Sequence, residues 1–486
     1  MTNIVSNNTN DVTVNAINGG DDEIISITQN VGDLTVIDDG TLQIGQIKVD
    51  SQVTIIAEDD ILDGTEDETA NVIADKIQMT AVNGNIGDEE DGLNLLVKEI
   101  TGTGITAENG GVYLTSDGAI KRDTNGRDGI ADITAQTVKV DAADGIGEIA
   151  YKEDGNGLSD TVGEPITDGF IVIDGANNIE LSTKNGNADI AVELENANTV
   201  DLVANATGND SDIFVTTDDV KTLNLNDVSA IDGNVVIGAA RTNVNAKHVR
   251  ALDNGDKTGI VNDAHAVVIE GLNINVAMNG IRSDYEVDLI AHNNVTAAGD
   301  ESDVNITTGG DINITVGGQV GSVEGNNPLT VDADGELHVD KLPGSDNNGN
   351  GKDIVWVYAN GNTSDGAIHY DGKPNTEPGI IYWNGRVWGG NSDPVNQVSR
   401  AEGEFSKQIR NMIDAYNGKY WTVSQLIYFP HVYMMMDLRQ QDMSIDHILN
   451  GRGTIDNLPD GVGPDTIDIN AWDDSFSWYQ GNGWKW

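Results

Sequence analysis

Three stretches of this chain carry oxygen-bearing side chains at the spacing of a calcium loop. The fullest is Asp346-Asn347-Asn348-Gly349-Asn350-Gly351, with Asp353 following. Asp346, Asn348 and Asn350 alternate along it, and a glycine at the sixth place suits a loop wrapped tightly around a hard cation. The bidentate glutamate expected at the twelfth place is missing, because that residue is Val357. A second stretch, Asp154-Gly155-Asn156-Gly157 with Asp160, has Lys152 where its first ligand should stand. A third runs from Asp123 to Asp132 and carries Arg127 inside it. Calcium is the cofactor these loops predict, at Asp346, Asn348, Asn350 and Asp353 and at Asp154, Asn156 and Asp160. The competing reading is a set of turns that use Asn, Asp and Gly for backbone geometry alone. The run Asp88-Glu89-Glu90-Asp91 reads as a solvated insertion rather than a site.

Other chemistries find less support. His248, His265, His292, His338, His369, His431 and His447 are scattered, with no two at ligand spacing on one helix. No His-Glu-x-x-His, Gly-x-Ser-x-Gly or phosphate loop is present. The chain has no cysteine, which excludes disulfides, thiolate metal sites and thiol catalysis. An enzyme acting on acidic polysaccharides would need a basic cleft with a Lys or Arg base beside paired carboxylates. The first 350 residues hold sixteen Lys and Arg, of which only Lys121 and Arg122 are adjacent. The sequence therefore reads as non-enzymatic.

The formal net charge of −54 comes from 80 acidic and 26 basic residues. Such a field repels nucleic acid and anionic membrane surfaces and attracts cations, and it also keeps a large surface soluble. Val, Ile and Leu alternate throughout, which separates the chain from acidic disordered sequences. No apolar stretch is long enough to cross a bilayer, so membrane insertion is not expected. The opening MTNIVSNNTN has neither a basic nor an apolar signal region. Absence of cysteine, abundant Asn, Asp and Gly, and extreme acidity are common in secreted bacterial surface proteins. Such a chain is either intracellular or an extracellular or cell-surface piece that starts at an added Met1, and the second is the expectation.

The elements that must position any site are announced by a repeat of about twenty-two residues between Asp168 and Ala246. Four passages align: DGFIVIDGANNIELS, NADIAVELENANTVDLV, DSDIFVTTDDVKTLNLN and DGNVVIGAARTNVNA. Each holds a dense apolar run, a polar bridge and an apolar-x-apolar step, the steps starting at Ile179, Val200, Leu223 and Val244. A fixed period in this range marks stacked units that bury their apolar faces against their neighbours. Leu42/Ile44, Ile47/Val49 and Val53/Ile55 make three period-two pairs within fourteen residues. Strands this short, separated by Gly, Asn or Asp, fit three faces of a parallel β-helix. About sixteen turns at about 4.8 Å would give a rod of roughly 75 Å over residues 1–350.

A second motif recurs. Ile77–Val97 and Ile312–Val331 share Ile-x-apolar-Thr, then Gly-x-apolar-Gly, then Leu-x-Val, and Ala135–Gly147 repeats the first half. Gly318–Gly321 followed by Asn327–Val331 resembles repeats of the filamentous-haemagglutinin type, the large bacterial β-helical exoproteins exported by two-partner secretion. The resemblance covers about residues 20 to 345. It implies a right-handed parallel β-helix, a surface or extracellular location, and adhesive or structural work. The chain departs from that family in lacking a recognisable N-terminal secretion domain and in its non-repetitive C-terminal part.

All eight Trp lie after residue 355, whereas the first 350 residues hold only Phe170, Phe214, Tyr113, Tyr151 and Tyr285 as aromatics. The fold class expected is all-β, a solenoid over 1–350 with a smaller aromatic-rich α+β C-terminal region. Residues 351–398 read as strands, Ile354–Tyr358 and a hairpin over Ile380–Trp388 turned at Asn384-Gly385. Residues 399–486 read as a helix opened by the capping box Ser399–Glu402, a second over Val432–Gln441, and an acidic tail. Trp472, Phe476, Trp478, Tyr479, Trp484 and Trp486 in that tail either cap the solenoid or bind a partner, glycans or a second copy of the chain. A tail that docks on the next subunit would build a filament, since open head-to-tail contacts propagate.

Overall fold

The computed structural model describes residues 2–6, 10–16, 24–65, 69–125, 129–151, 165–253, 266–298, 304–321, 329–334 and 337–341, and the strands 354–360, 368–371, 380–383 and 386–389. The described residues are nearly all β and form a parallel β-solenoid of about twelve turns. They fall into two compact units, residues 1–292 with 305–310, and residues 293–304 with 311–486.

In the first unit three faces are clearest between Ile171 and Thr308. The first stacks Ile171–Asp174, Ile190–Glu195, Ile213–Asp218, Val235–Ala239, Val267–Gly271 and Val287–Ala291 in parallel. Val192, Val215, Ile237, Ile269 and Leu289 form one column of its core, each essentially fully buried. The second face stacks Ile179, Leu202, Leu225, Ala246 and Val276. The third stacks Leu181, Ala204, Val228, Val249, Ile281 and Ile306. A register shift between Leu202 and Val203 leaves Asn226 without an opposite residue and turns the chain from the second face to the third. The corners repeat as well. Asn187 and Asp210, then Asn196 and Asp219, take left-handed φ values of 51–56°, which Asn and Asp tolerate best among residues with a Cβ.

The period departs from the expected constancy. Between Ile171 and Ala246 paired residues lie 21 to 24 apart, as in Ile171 with Val192, Ile190 with Ile213, Leu223 with Val244 and Ala204 with Val228. Elsewhere Leu42 pairs with Ile61, Val235 with Val267, and Thr137 with Asn178. The first of these turns is shorter than the repeat and the other two are stretched by insertions, and about twelve turns form among the described residues where a uniform repeat predicted sixteen. The alignment of the steps is also corrected at one point. Ile179 stacks on Leu202, not Val200. The slip is two residues, which keeps the same face inward; a slip of one would have reversed it.

The Ile-Gly step has a single explanation at two places, the Gly-x-apolar-Gly motif of residues 84–87 and its shorter relative Gly145-Ile146-Gly147. Ile86 and Ile146 enter the core as lone bridges, Ile86 between Ile61 and Val112, Ile146 between Ile120 and Ile190. The glycine that follows, Gly87 or Gly147, turns the chain at a φ of 74° or 77°.

In the second unit Ile312–Val316, Leu337–Lys341 and Ile368–Asp371 stack in parallel. Leu329–Ala333, Ile354–Asn360 and Ile380–Trp383 do the same. Ile380–Trp383 then pairs antiparallel with Arg386–Gly389, joining Trp383 to Arg386 across a two-residue connection. Among the described residues the only helical segment is a short 3-10 turn, Thr167–Gly169. The two helices and the tail expected over residues 399–486 lie outside the described residues.

Candidate functional site

The calcium positions Asp346, Asn348, Asn350 and Asp353, and Asp154, Asn156 and Asp160, lie outside the described residues. So do Trp472, Phe476, Trp478, Tyr479, Trp484 and Trp486. The third loop is partly described, and its carboxylates are turned to protein partners. Asp123 Oδ2 takes the Lys76 ammonium at 2.5 Å and the Thr101 hydroxyl at 2.9 Å, while Oδ1 accepts the Asn125 amide N–H. The Lys76 ammonium, followed by these N–H and O–H donors, holds the Asp123 carboxyl below the usual carboxylate range. Asp132 Oδ2 accepts the Val172 N–H at 2.8 Å and lies 3.6 Å from the Arg122 guanidinium. Both carboxylates serve the fold. Asp88, Glu89, Glu90 and Asp91 are exposed, in accord with a solvated turn. No group of three or more metal-ligating side chains occurs among the described residues.

The register brings together residues that spacing could not. His338 stands beside His369 on neighbouring strands. His248 Nδ1 meets Asp227 and His292 Nε2 meets Glu270, each at 2.8 Å. Glu193 and Glu195 share a face with Asp174 and Asp218. Burial, followed by the neighbouring carboxylates, pushes both glutamates above their ordinary range, and Arg122 opposes the shift.

The outward side chains of the second face form ladders along the solenoid axis. Asn224 Nδ2 donates to Asp201 Oδ1 at 2.9 Å, and Asn245 Nδ2 donates to Asn224 Oδ1 at 2.7 Å. One column over, Asn273 Nδ2 donates to Asn243 Oδ1 at 2.8 Å. Lys221 reaches Asn198 and Lys247 reaches Asn226, again one turn back. Side-chain amides in register thus bond in the same direction as the backbone ladder, as they do in stacked in-register strands.

Beside these ladders runs a groove of about 370 Å³. Tyr113, Lys139, Glu180 and Val203 stand in one row on successive turns, with Thr137, Asn178 and Asp201 in the next. Glu89 in the exposed turn forms one wall, and its carbonyl accepts the Lys139 ammonium at 3.3 Å. The Tyr113 ring lies over Gly111, where a Cβ would sit 2.4–2.6 Å from its Cε2, Cζ and hydroxyl oxygen. Burial, with Glu89 and Asp88 adding to it, raises the Tyr113 phenol above its ordinary value. No motif in the sequence signals this groove, because its residues are set side by side only by inter-turn register.

The class defined by this architecture is the parallel β-solenoid. No family model, no curated protein and no solved structure matches the chain.

Proposed function

We propose that this chain is a secreted bacterial surface or extracellular protein whose solenoid does structural or adhesive work rather than catalysis. The observation that supports this reading most is the set of amide ladders on the outside of the second face. Asp201, Asn224 and Asn245 use their outward side chains to tie each turn to the next. Side chains so committed reinforce the solenoid along its axis. A parallel solenoid presents strand edges at its terminal turns, and a second copy can extend them. Head-to-tail assembly, with the C-terminal aromatics at the junction and calcium bound by the acidic loops, is the form of structural work proposed.

Electron microscopy of the purified full chain, with calcium and with chelator, tests the assembly. Filaments that shorten or dissolve on chelation support both assembly and the calcium role. Single particles at high concentration under both conditions overturn the filament and leave the adhesive form of the reading.

A further inference from the structure

We propose that the groove between Tyr113 and Asn226 is a binding site for a neutral or amino-bearing oligosaccharide. This goes beyond the structural reading and does not depend on filament formation, since every residue that builds the groove lies in the first unit.

The groove crosses five consecutive strands, from the one bearing Tyr113 through those of Lys139, Asn178 and Asp201 to that of Asn226. Four inter-strand steps of about 4.8 Å give a length of about 19 Å, which admits an elongated ligand several rings long. Its volume falls in the range of small-ligand sites. One end offers an aromatic surface. With no side chain at Gly111 to lift it, the Tyr113 ring folds back against the sheet and presents a platform for the apolar face of a sugar ring.

The polar groups along the floor divide into those already engaged and those left open. Asp201 accepts from both Asn224 and Asn226, so its geometry is held. The side chains of Asn178 and Glu180 are exposed and make no side-chain hydrogen bond or ion pair among the described residues. An amide and a carboxylate together require a ligand that both donates and accepts, which a chain of hydroxyl groups does at every ring.

Charge narrows the class. Glu89, Glu180 and Asp201 face a single Lys139, whose ammonium is engaged by the Glu89 carbonyl. Uronate or sulfated polymers would meet net repulsion, whereas neutral or amino sugars would not. An extended peptide is the other ligand of this length. Peptides held along a sheet gain their affinity by adding a strand at a free edge. The strands under the groove are paired on both sides within the solenoid, so no edge is available there.

Isothermal titration calorimetry on the full chain tests the proposal, with cello-, chito- and deacetylated chito-oligosaccharides as probes beside an oligogalacturonate and a lysine-rich peptide. Binding of at least one neutral or amino series is expected, and no binding of the oligogalacturonate. Tyr113→Ala should weaken that binding about tenfold, the scale of one lost aromatic contact, and Tyr113→Phe should restore most of it. Glu180→Gln changes an exposed, unpartnered side chain, leaves the fold untouched, and should weaken the amino series more than the neutral one. The proposal is overturned if no oligosaccharide binds, if only the peptide binds, or if binding survives both groove changes and is lost on Trp478→Ala with Trp484→Ala.

Discussion

Asp189 Oδ1 accepts the backbone N–H of Asp212, one turn further along, at 2.8 Å. Asp212 Oδ1 in turn accepts the N–H of Asn234 at 2.7 Å, and Asn234 Oδ1 accepts that of Ala266 at 3.0 Å. Each side chain thereby supplies an acceptor to a strand start in the next turn. The series runs Asp, Asp, Asn, so the same bond is made with and without a charge. Stacking at this spacing brings Asp189 close to Asp212. Burial, opposed by the Asp212 N–H and reinforced by the Asp212 carboxylate, pushes Asp189 up from 3.8 to about 6.

A pH dependence follows. Between about pH 4 and 6 the folded chain keeps a proton on Asp189 that the unfolded chain has released. The contribution of this group is fully present below its unfolded value and is lost as pH rises through about 6. Asp189→Asn keeps the acceptor and removes the charge. It should raise stability at neutral pH by on the order of 1–2 kcal/mol and have little effect at pH near 4. Asp123 acts in the opposite sense. Its carboxyl is held low by Lys76, so its contribution is present above the ordinary carboxylate range and is lost as pH falls. Asp123→Asn should therefore destabilise at neutral pH and matter less in acid. Urea midpoints of the three proteins across this range check both signs; parallel curves would remove the account of Asp189 and of Asp123 alike.

The turn glycines should resist any side chain. A Cβ at Gly87 would lie 2.1 Å from the Tyr113 carbonyl oxygen, and one at Gly147 would lie 2.2 Å from that of Ala191. Both glycines also have positive φ, where a Cβ adds strain. Gly87→Ala and Gly147→Ala are expected to cost about 2–4 kcal/mol each, combining backbone strain with a displaced strand. Gly118 is the control, since its nearest neighbour would be Leu96 Cδ1 at 3.7 Å. Denaturant titration that placed all three variants together would show that the motif has another cause.

The amide ladder gives a graded expectation. Asn224 donates to Asp201 and accepts from Asn245, whereas the Asn245 side chain makes only the second of these bonds. At about 0.5–1.5 kcal/mol for each bond lost, Asn224→Ala should destabilise by about twice as much as Asn245→Ala. A double change of Asn224 and Asn245 should cost less than the sum of the two single changes, because they share one bond. Strict additivity in thermal melts would mean that the ladder contributes nothing as a unit.

The solenoid was legible in the sequence because its cause is local and periodic. Val200, Leu223 and Val244 recur at one inward position, and Asn187 and Asp210 recur at one corner. Turn number was not legible, because corner insertions such as that between Thr137 and Asn178 change length without changing the strand pattern. The groove was hidden for a related reason. Tyr113, Lys139 and Glu180 lie on three different turns, and only the pairing register makes them neighbours. The dense apolar runs held a signal that period two alone could not interpret. In Ile213-Phe214-Val215 alternation sends Ile213 and Val215 inward and Phe214 outward, yet a continuous run indicates burial on both sides.

That outward position is the subject of the last expectation. Phe214 stacks between Ala191 and Val236, and Val236 on Val268, all on the outer side of the first face. Together with Phe170 they form a cluster in which no member is more than 3% exposed, with Ile149 packed against it. The Phe170 and Phe214 rings meet edge to face at 6.4 Å and 60°. The solenoid thus has a second core outside its tube, mostly along the turns of regular period, with Val268 joining across the longer turn from Val236. Regular spacing there has a physical reason, since a stripe of this kind stays covered only if each turn delivers its apolar residue to the same row. Phe214→Ala should cost about 3–5 kcal/mol, as for a ring removed from a close-packed interior. Phe214→Leu should cost less than about 2 kcal/mol, because it keeps most of the volume. Tyr285→Ala, at a residue 47% exposed, should change stability by no more than about 0.5 kcal/mol. If Phe214→Ala matched Tyr285→Ala in urea unfolding, the outer cluster would be surface decoration, and the regular period of these turns would need a cause in the inner core alone.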